Sequence, residues 1–379
     1  MKIVRFMFPA MLALTTGCAT TLDQGGALRP NAEARNEAAV PGGAPACFVS
    51  GEMRTIAPKA QVRPGIEVVT TATGIALGFS RTPFDAVAMT MDPSSGVATE
   101  RFSRHTADPI RHITPIHREG DAIDAAIDAE CKANTLKGAV TISARESFVV
   151  GTTDGEIAWA ACASELPHTL WHFSQGAVRE LRGIALRGGG YAIAFREGES
   201  IWLGRVDADK NPLGPLHRIA TRAELRAPVL AESGEDVLVV WSEQRNGSDR
   251  WSLGGASVAQ CGHATPMDLA IPMENADADA IQPALAAVDA NHFLLVWTEG
   301  PVWGRQVRAV TIESHGRAVG PALRVSAGAE SGWARPAITA DGRGAVVYLV
   351  PTSSGFAIAA TPIECSSSGR ANRVAAARL

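Results

Sequence analysis

Short apolar runs, each four or five residues long, recur along this chain between polar turns. Ile75-Ala-Leu-Gly-Phe79, Tyr191-Ala-Ile-Ala-Phe195, Val237-Leu-Val-Val-Trp241, Phe293-Leu-Leu-Val-Trp297 and Ala345-Val-Val-Tyr348 all end on an aromatic, and Phe148-Val-Val-Gly-Thr152 is a weaker copy. Runs of this length bounded by Gly, Asp, Asn and Pro predict buried strands, not helices. From residue 148 onward the copies lie roughly 43 to 56 residues apart, the spacing of a repeat built from four strands.

Each copy has similar neighbours. A short strand precedes it, often opened by proline, as in Ala227-Pro228-Val229-Leu230, Gln282-Pro283-Ala284-Leu285 and Arg335-Pro336-Ala337-Ile338. A third strand follows, such as Ile201–Val206 or Val307–Ile312, and then a fourth, such as Leu216–Ile219 or Ala322–Val325. Nothing between the strands has helical periodicity, which excludes a parallel α/β sheet. The expectation is an all-β chain folded as a single β-propeller of six or seven four-stranded blades. Repeats begin near residues 64, 138, 182, 226, 282 and 335, and 109–137 reads as a degenerate blade. The last repeat stops after its third strand, so residues 46–57 are expected to supply the fourth and close the ring, removing an exposed sheet edge. That closure puts Cys47 and Cys365 on adjacent strands and predicts a disulfide between them. Cys131, Cys162 and Cys261 are placed at the ends of third strands, where at most one bridge leaves one thiol over.

The N-terminal residues have a different character. Lys2 and Arg5 precede an apolar run too short to span a bilayer, and small residues lead to Cys18, the layout of a secretory signal. Leu14-Thr15-Thr16-Gly17-Cys18 resembles the lipobox of bacterial lipoproteins, although Thr15 stands where that family prefers leucine. The resemblance implies acylation of Cys18, export and, with Ala19 next, the outer membrane. The expected organisation is therefore a signal peptide over 1–17, the acylated cysteine and a flexible tether over 18–45, the propeller over 46–366 and a tail over 367–379. The repeats also resemble bacterial propeller repeats in which an apolar-apolar-Val-Trp strand is followed by a polar and an acidic residue. That resemblance speaks to architecture and hardly to activity.

Charge and motifs narrow the function. A net charge of -4 leaves no basic field to attract nucleic acid. The sequence holds no GxSxG, HExxH, P-loop or SxxK pattern, no CxxC pair suggesting zinc, and no sign of a cofactor. His105, His112 and His117 are the densest histidine group. In an extended segment His112 and His117 would point to opposite faces, so they read as exposed loop residues. Acidic residues follow the second strand at matched positions, Glu197, Glu243 and Glu299 with Asp154 in the weak copy. They read as groups each blade needs for its own loop arginine or backbone N–H, the alternative being an acidic ring for cations. Trp251, Trp303 and Trp333 fall in loops expected on one face, among Arg245, Arg250, Arg305 and Arg335. Trp and Arg are enriched in interface hot spots, so these residues form a candidate binding face, unless each Trp folds back on its own blade. The resulting expectation is a non-catalytic, lipid-anchored envelope module that binds a protein or glycan. The alternative is a hydrolase acting on glycans or peptides through carboxylates that converge on the central channel from different blades.

Overall fold

In the computed structural model the described residues run from 45 to 367, apart from 64, 72–73, 118–122, 128–135, 144–146, 154, 163–165, 173–177, 223, 245–247, 268, 275–276, 302 and 329. They all fall in the compact unit Val40–Leu379. Among them there is no helix, so the all-β expectation holds.

The chain enters through β1 (Pro45–Val49) and β2 (Arg54–Ala60) and then forms a four-stranded sheet from β3 (Glu67–Thr70), β4 (Ile75–Thr82), β5 (Asp85–Met91) and β6 (Ala98–His105). A two-stranded sheet follows, β7 (Ile113–His117) and β8 (Ile123–Ile127), in the segment expected to be degenerate. Three four-stranded sheets come next: β9 (Lys137–Ser143), β10 (Ser147–Thr153), β11 (Glu156–Ala161) and β12 (His168–His172); then β13 (Val178–Ala185), β14 (Tyr191–Glu197), β15 (Ser200–Val206) and β16 (His217–Thr221); then β17 (Glu224–Ser233), β18 (Asp236–Gln244), β19 (Trp251–Val258) and β20 (Ala264–Pro266). A further sheet contains β21 (Ala280–Ala287), β22 (His292–Glu299), β23 (Gln306–Glu313) and β24 (Ala318–Arg324). The final sheet is β25 (Gly332–Ile338), β26 (Arg343–Thr352) and β27 (Gly355–Ser367), with β1 and β2 both paired to β27.

All the strand pairs are antiparallel neighbours in sequence, except where β1 and β2 meet β27. The first strands touch in a closed circle, β3 to β7 to β9 to β13 to β17 to β21 to β25 and back to β3. Apolar clusters fill the spaces between successive sheets: Phe79 and Val347 share one, Val296 and Tyr348 another, Val239 and Leu203 a third. This is a β-propeller-like arrangement, and it explains the sequence pattern. A second strand lies between neighbouring sheets, so both of its faces are covered and Val237–Glu243 is buried throughout. A fourth strand stands at the rim, and β6 is mostly exposed.

The aromatic ending each apolar run is buried in every full copy: Phe79, Phe195, Trp241, Trp297 and Tyr348. The two chain ends meet as expected. Cys47 lies opposite Cys365 in the β1–β27 register, and the pair forms a disulfide. Cys162 and Cys261 are disulfide-bonded too, and no cysteine among the described residues is free. Cys18, Cys131 and Asp154 lie outside the described residues.

Candidate functional site on the ring axis

The inner strands are not regular. β13, β17, β21 and β25 each lose register once against their second strand, between Arg179 and Arg182, Arg226 and Val229, Ile281 and Ala284, and Gly332 and Arg335. Within three of these bulges a non-glycine residue takes a left-handed conformation: Glu180 (φ 53°), Gln282 (φ 55°) and Trp333 (φ 53°). Such a backbone costs on the order of 1 kcal/mol or more per residue and must be held by its surroundings. Here bonds between neighbouring sheets hold it. The Gln282 amide N–H donates to Ser242 Oγ (3.1 Å), and the Trp333 N–H donates to Gln282 Oε1 (3.1 Å), which also accepts from Thr298 Oγ1 (3.0 Å).

A bulge re-aims the residue beside it, and directly after two of these stand Arg182 and Arg335. Glu67 opens β3, and His112 immediately precedes β7. The Glu67 Oε1 lies 3.7 Å from His112 Nε2, and the other ring nitrogen of His112 lies 3.4 Å from Thr114 Oγ1. Burial pushes the Glu67 carboxyl upward, but the neighbouring His112 and the fields of Arg335 and Arg182 outweigh it and hold it down at about 2. Burial lowers the Arg335 guanidinium, Glu67 opposes that, and the like charge of Arg182 adds to it. Four side chains from four different sheets therefore share one electrostatic environment within the circle of first strands. Enclosure is strong although solvent reaches in: the Glu67 side chain keeps 25% of its exposure and that of His112 only 10%.

The charges in this cluster do not balance. One carboxylate faces two guanidiniums, and among the described residues no carboxylate lies within ion-pair distance of Arg182 or Arg335. Each arginine instead donates from Nη1 to the carbonyl of the preceding residue, Leu181 O (2.9 Å) and Ala334 O (3.1 Å).

This site differs from the face expected from sequence. Arg335 belongs to the axis, not to a loop beside Trp333, and His112 is 8% exposed instead of a surface residue. His105 is a surface residue, paired with Asp85 (2.7 Å), while Arg245 and the side chain of His117 lie outside the described residues. Trp333 packs edge-on against Phe356 (centroids 5.9 Å apart) and joins the core. Trp251 is half-buried beneath the Arg226 guanidinium, 4.2 Å above its ring, beside a cavity of about 230 Å³ lined also by Leu269, Ile271 and Met273. Arg250 next to it is ion-paired with Asp277. Trp303 is 76% exposed, and Arg305 is half-buried with its Nε enclosed and unpaired.

The recurrent acids are built into the second strands. Glu243 accepts from the indole N–H of Trp241 (2.9 Å), with Arg222 Nε 3.8 Å away. Glu299 accepts from the indole of Trp297 (3.1 Å) and from the Glu274 N–H (3.1 Å). Glu197 stands two residues after Phe195, where the other copies have tryptophan, and burial raises its carboxyl, offset in part by Trp202. Among the described residues no group of three or more His, Cys, Asp or Glu is placed to hold a metal ion.

No protein-family model matches the chain, and neither does any curated protein. Solved structures do. A protein of unknown function from Dyadobacter fermentans is 14% identical, with a TM-score of 0.47 over 83% of this chain and 99% of its own. The α-L-arabinofuranosidase of Fusarium graminearum is 8% identical, with a TM-score of 0.48 over 84% and 98%. The α-L-arabinanase of Penicillium chrysogenum is 8% identical, with a TM-score of 0.45 over 86% and 99%. The expectation of a non-catalytic chain is corrected by these neighbours, two of which are enzymes. Its premise, the lack of a catalytic motif, has no force in a ring fold. Groups that meet on the axis come from separate repeats and leave no local signature.

Proposed function

We propose that this chain is a seven-bladed propeller, its second blade reduced to a hairpin, that acts on glycans at the axial cluster. The observation carrying this is the convergence of Glu67, His112, Arg182 and Arg335 from four sheets. Sugars are recognised by charged acceptors and donors that bind hydroxyls and by aromatic faces that cover C–H surfaces. The axis supplies the first. Trp303 supplies the second, because the loop after a second strand opens on the end of the ring where first strands begin, and Glu67 and His112 stand at such beginnings.

In glycoside hydrolysis an ionised carboxylate opposes the positive charge that develops at the anomeric carbon, and a second group gives a proton to the leaving oxygen. Glu67, held ionised, suits the first role with the neighbouring His112 orienting its carboxylate, and the proton for the leaving oxygen is delivered through water. Export with a lipid on Cys18, most consistent with the outer membrane, remains part of this proposal. The unknown partner is then an envelope or environmental glycan, with the membrane met only through the lipid.

The test is product release from a panel of polysaccharides, followed by reducing-end assay and mass spectrometry. The parent is expected to release oligosaccharides and Glu67→Gln to lose at least about 100-fold of that activity, with Trp303→Ala raising KM more than it lowers kcat. A Glu67→Gln variant that folds and cleaves as well as the parent would remove the axial cluster from the chemistry.

A further inference from the structure

Resting on that reading, we infer that the axial site selects a sugar unit bearing a carboxylate, a uronic acid residue, with Arg182 and Arg335 as the groups that hold its charge. Three observations on the cluster lead there.

First, among the described residues the cluster is short of negative charge. Arg335 is half-buried, and the single carboxylate acting on it among the described residues, Glu67, is shared with His112 and Arg182. A half-buried charge without a full counter-charge carries part of its desolvation cost uncompensated, and a bound anion relieves that cost. Second, both guanidiniums have donors to spare. Each has five N–H donors, and among the described residues the hydrogen bonds made by Arg182 and Arg335 run only from Nη1 to a backbone carbonyl. That bond fixes the plane of the guanidinium and leaves its remaining edge for a ligand, and a guanidinium edge matches the two oxygens of a carboxylate. Third, the two arginines are presented alike. Both stand immediately after the register shift of their first strand, one in β13 and one in β25. Two different blades thus aim equivalent side chains at one region, so an anion between them gains from both charges at once.

Glu67 fixes which anion fits. A carboxylate already on the axis repels any ligand whose charge covers its whole surface, such as inorganic phosphate. A uronate instead presents its charge on one edge of the ring to the arginines and its hydroxyls to Glu67 as donors. The site is thus divided into an anion side and a hydroxyl side.

Titration calorimetry at low ionic strength provides the test, with oligogalacturonate and oligoglucuronate, the same oligosaccharides after carboxyl reduction, and inorganic phosphate. The inference expects reduction of the carboxyl to weaken binding at least about 30-fold. Arg335→Gln should weaken the uronate far more than the reduced sugar, closing the gap between the two to within about threefold. Arg182→Gln, which leaves the Arg335 charge to act on Glu67, provides the same comparison if the first variant is poorly folded. Phosphate should fail to displace the uronate at a hundredfold molar excess. Equal binding of the acidic and reduced sugars would overturn this inference and leave glycan action at the axis standing. Displacement by phosphate would replace sugar selection with a general oxyanion site. Failure of every oligosaccharide to bind would overturn both.

Discussion

Glu67 shows how much a single residue depends on partners distant in sequence. It sits in Ile66-Glu67-Val68-Val69, where an acid in an apolar strand reads as a solvated strand end. Its partners are 45 to 268 residues away, and nothing local announces them. The ring brings His112, Arg182 and Arg335 to it and holds its carboxyl near 2, against an ordinary 4.5. Because the folded value is depressed, its contribution is fully present above the ordinary carboxylate pKa and is lost as pH falls from about 4.5 toward 2. The shift corresponds to about 3 kcal/mol. The stability difference between the parent and Glu67→Gln, measured by urea unfolding, should therefore shrink by about three-quarters of that amount between pH 6 and pH 2.5. A difference that stays flat over this range would mean that the native carboxyl titrates normally.

At the scale of the strand, the sequence was far more legible. The run Val237–Glu243 contains its burial, its position between two sheets and its terminal aromatic, because each follows from local composition. What pattern alone did not reveal is why an acid follows two residues after tryptophan. In β18 and β22 residues i and i+2 share a face, so the carboxylate lies beside the indole and satisfies a donor that burial would otherwise orphan. A buried orphan costs about 1–3 kcal/mol. The same reasoning explains Tyr348, whose hydroxyl meets Thr361 Oγ1 (3.1 Å), and the less constrained Glu197 after Phe195. Gly254 belongs to this unit: a Cβ there would come within 2.5 Å of Trp241 Nε1 and 2.7 Å of Glu243 Oε2. Gly254→Ala should therefore destabilise the fold by about 1–3 kcal/mol. Glu243→Gln, which keeps an acceptor oxygen, should cost less. Thermal melts of the two variants check the order, and the reverse order would mean that the indole bond, not its packing against Gly254, governs the site.

For the molecule as a whole, the decisive event is closure. A repeat array read from sequence ends with one strand missing, and the missing strand lies at the other end of the chain. Cys47 and Cys365 are legible as a pair only after that step, since they are separated by 318 residues. The axial site is a further consequence of closure, because Glu67 meets Arg335 only when β25 and β3 become neighbours. A cross-link spanning so much of the chain restricts the unfolded state strongly, and removing it is expected to cost on the order of 2–5 kcal/mol. The ring should still form without it, because β1 and β2 also pair with β27 along their length. Replacing Cys47 and Cys365 together by Ala should thus lower the urea midpoint while leaving the circular dichroism spectrum and the Glu67-dependent acid sensitivity intact. The double variant leaves Cys162 and Cys261 oxidised, so a chemical reductant is not needed and does not confuse the result. If the midpoint fell and the acid sensitivity disappeared with it, the disulfide rather than strand pairing would be what keeps β25 against β3.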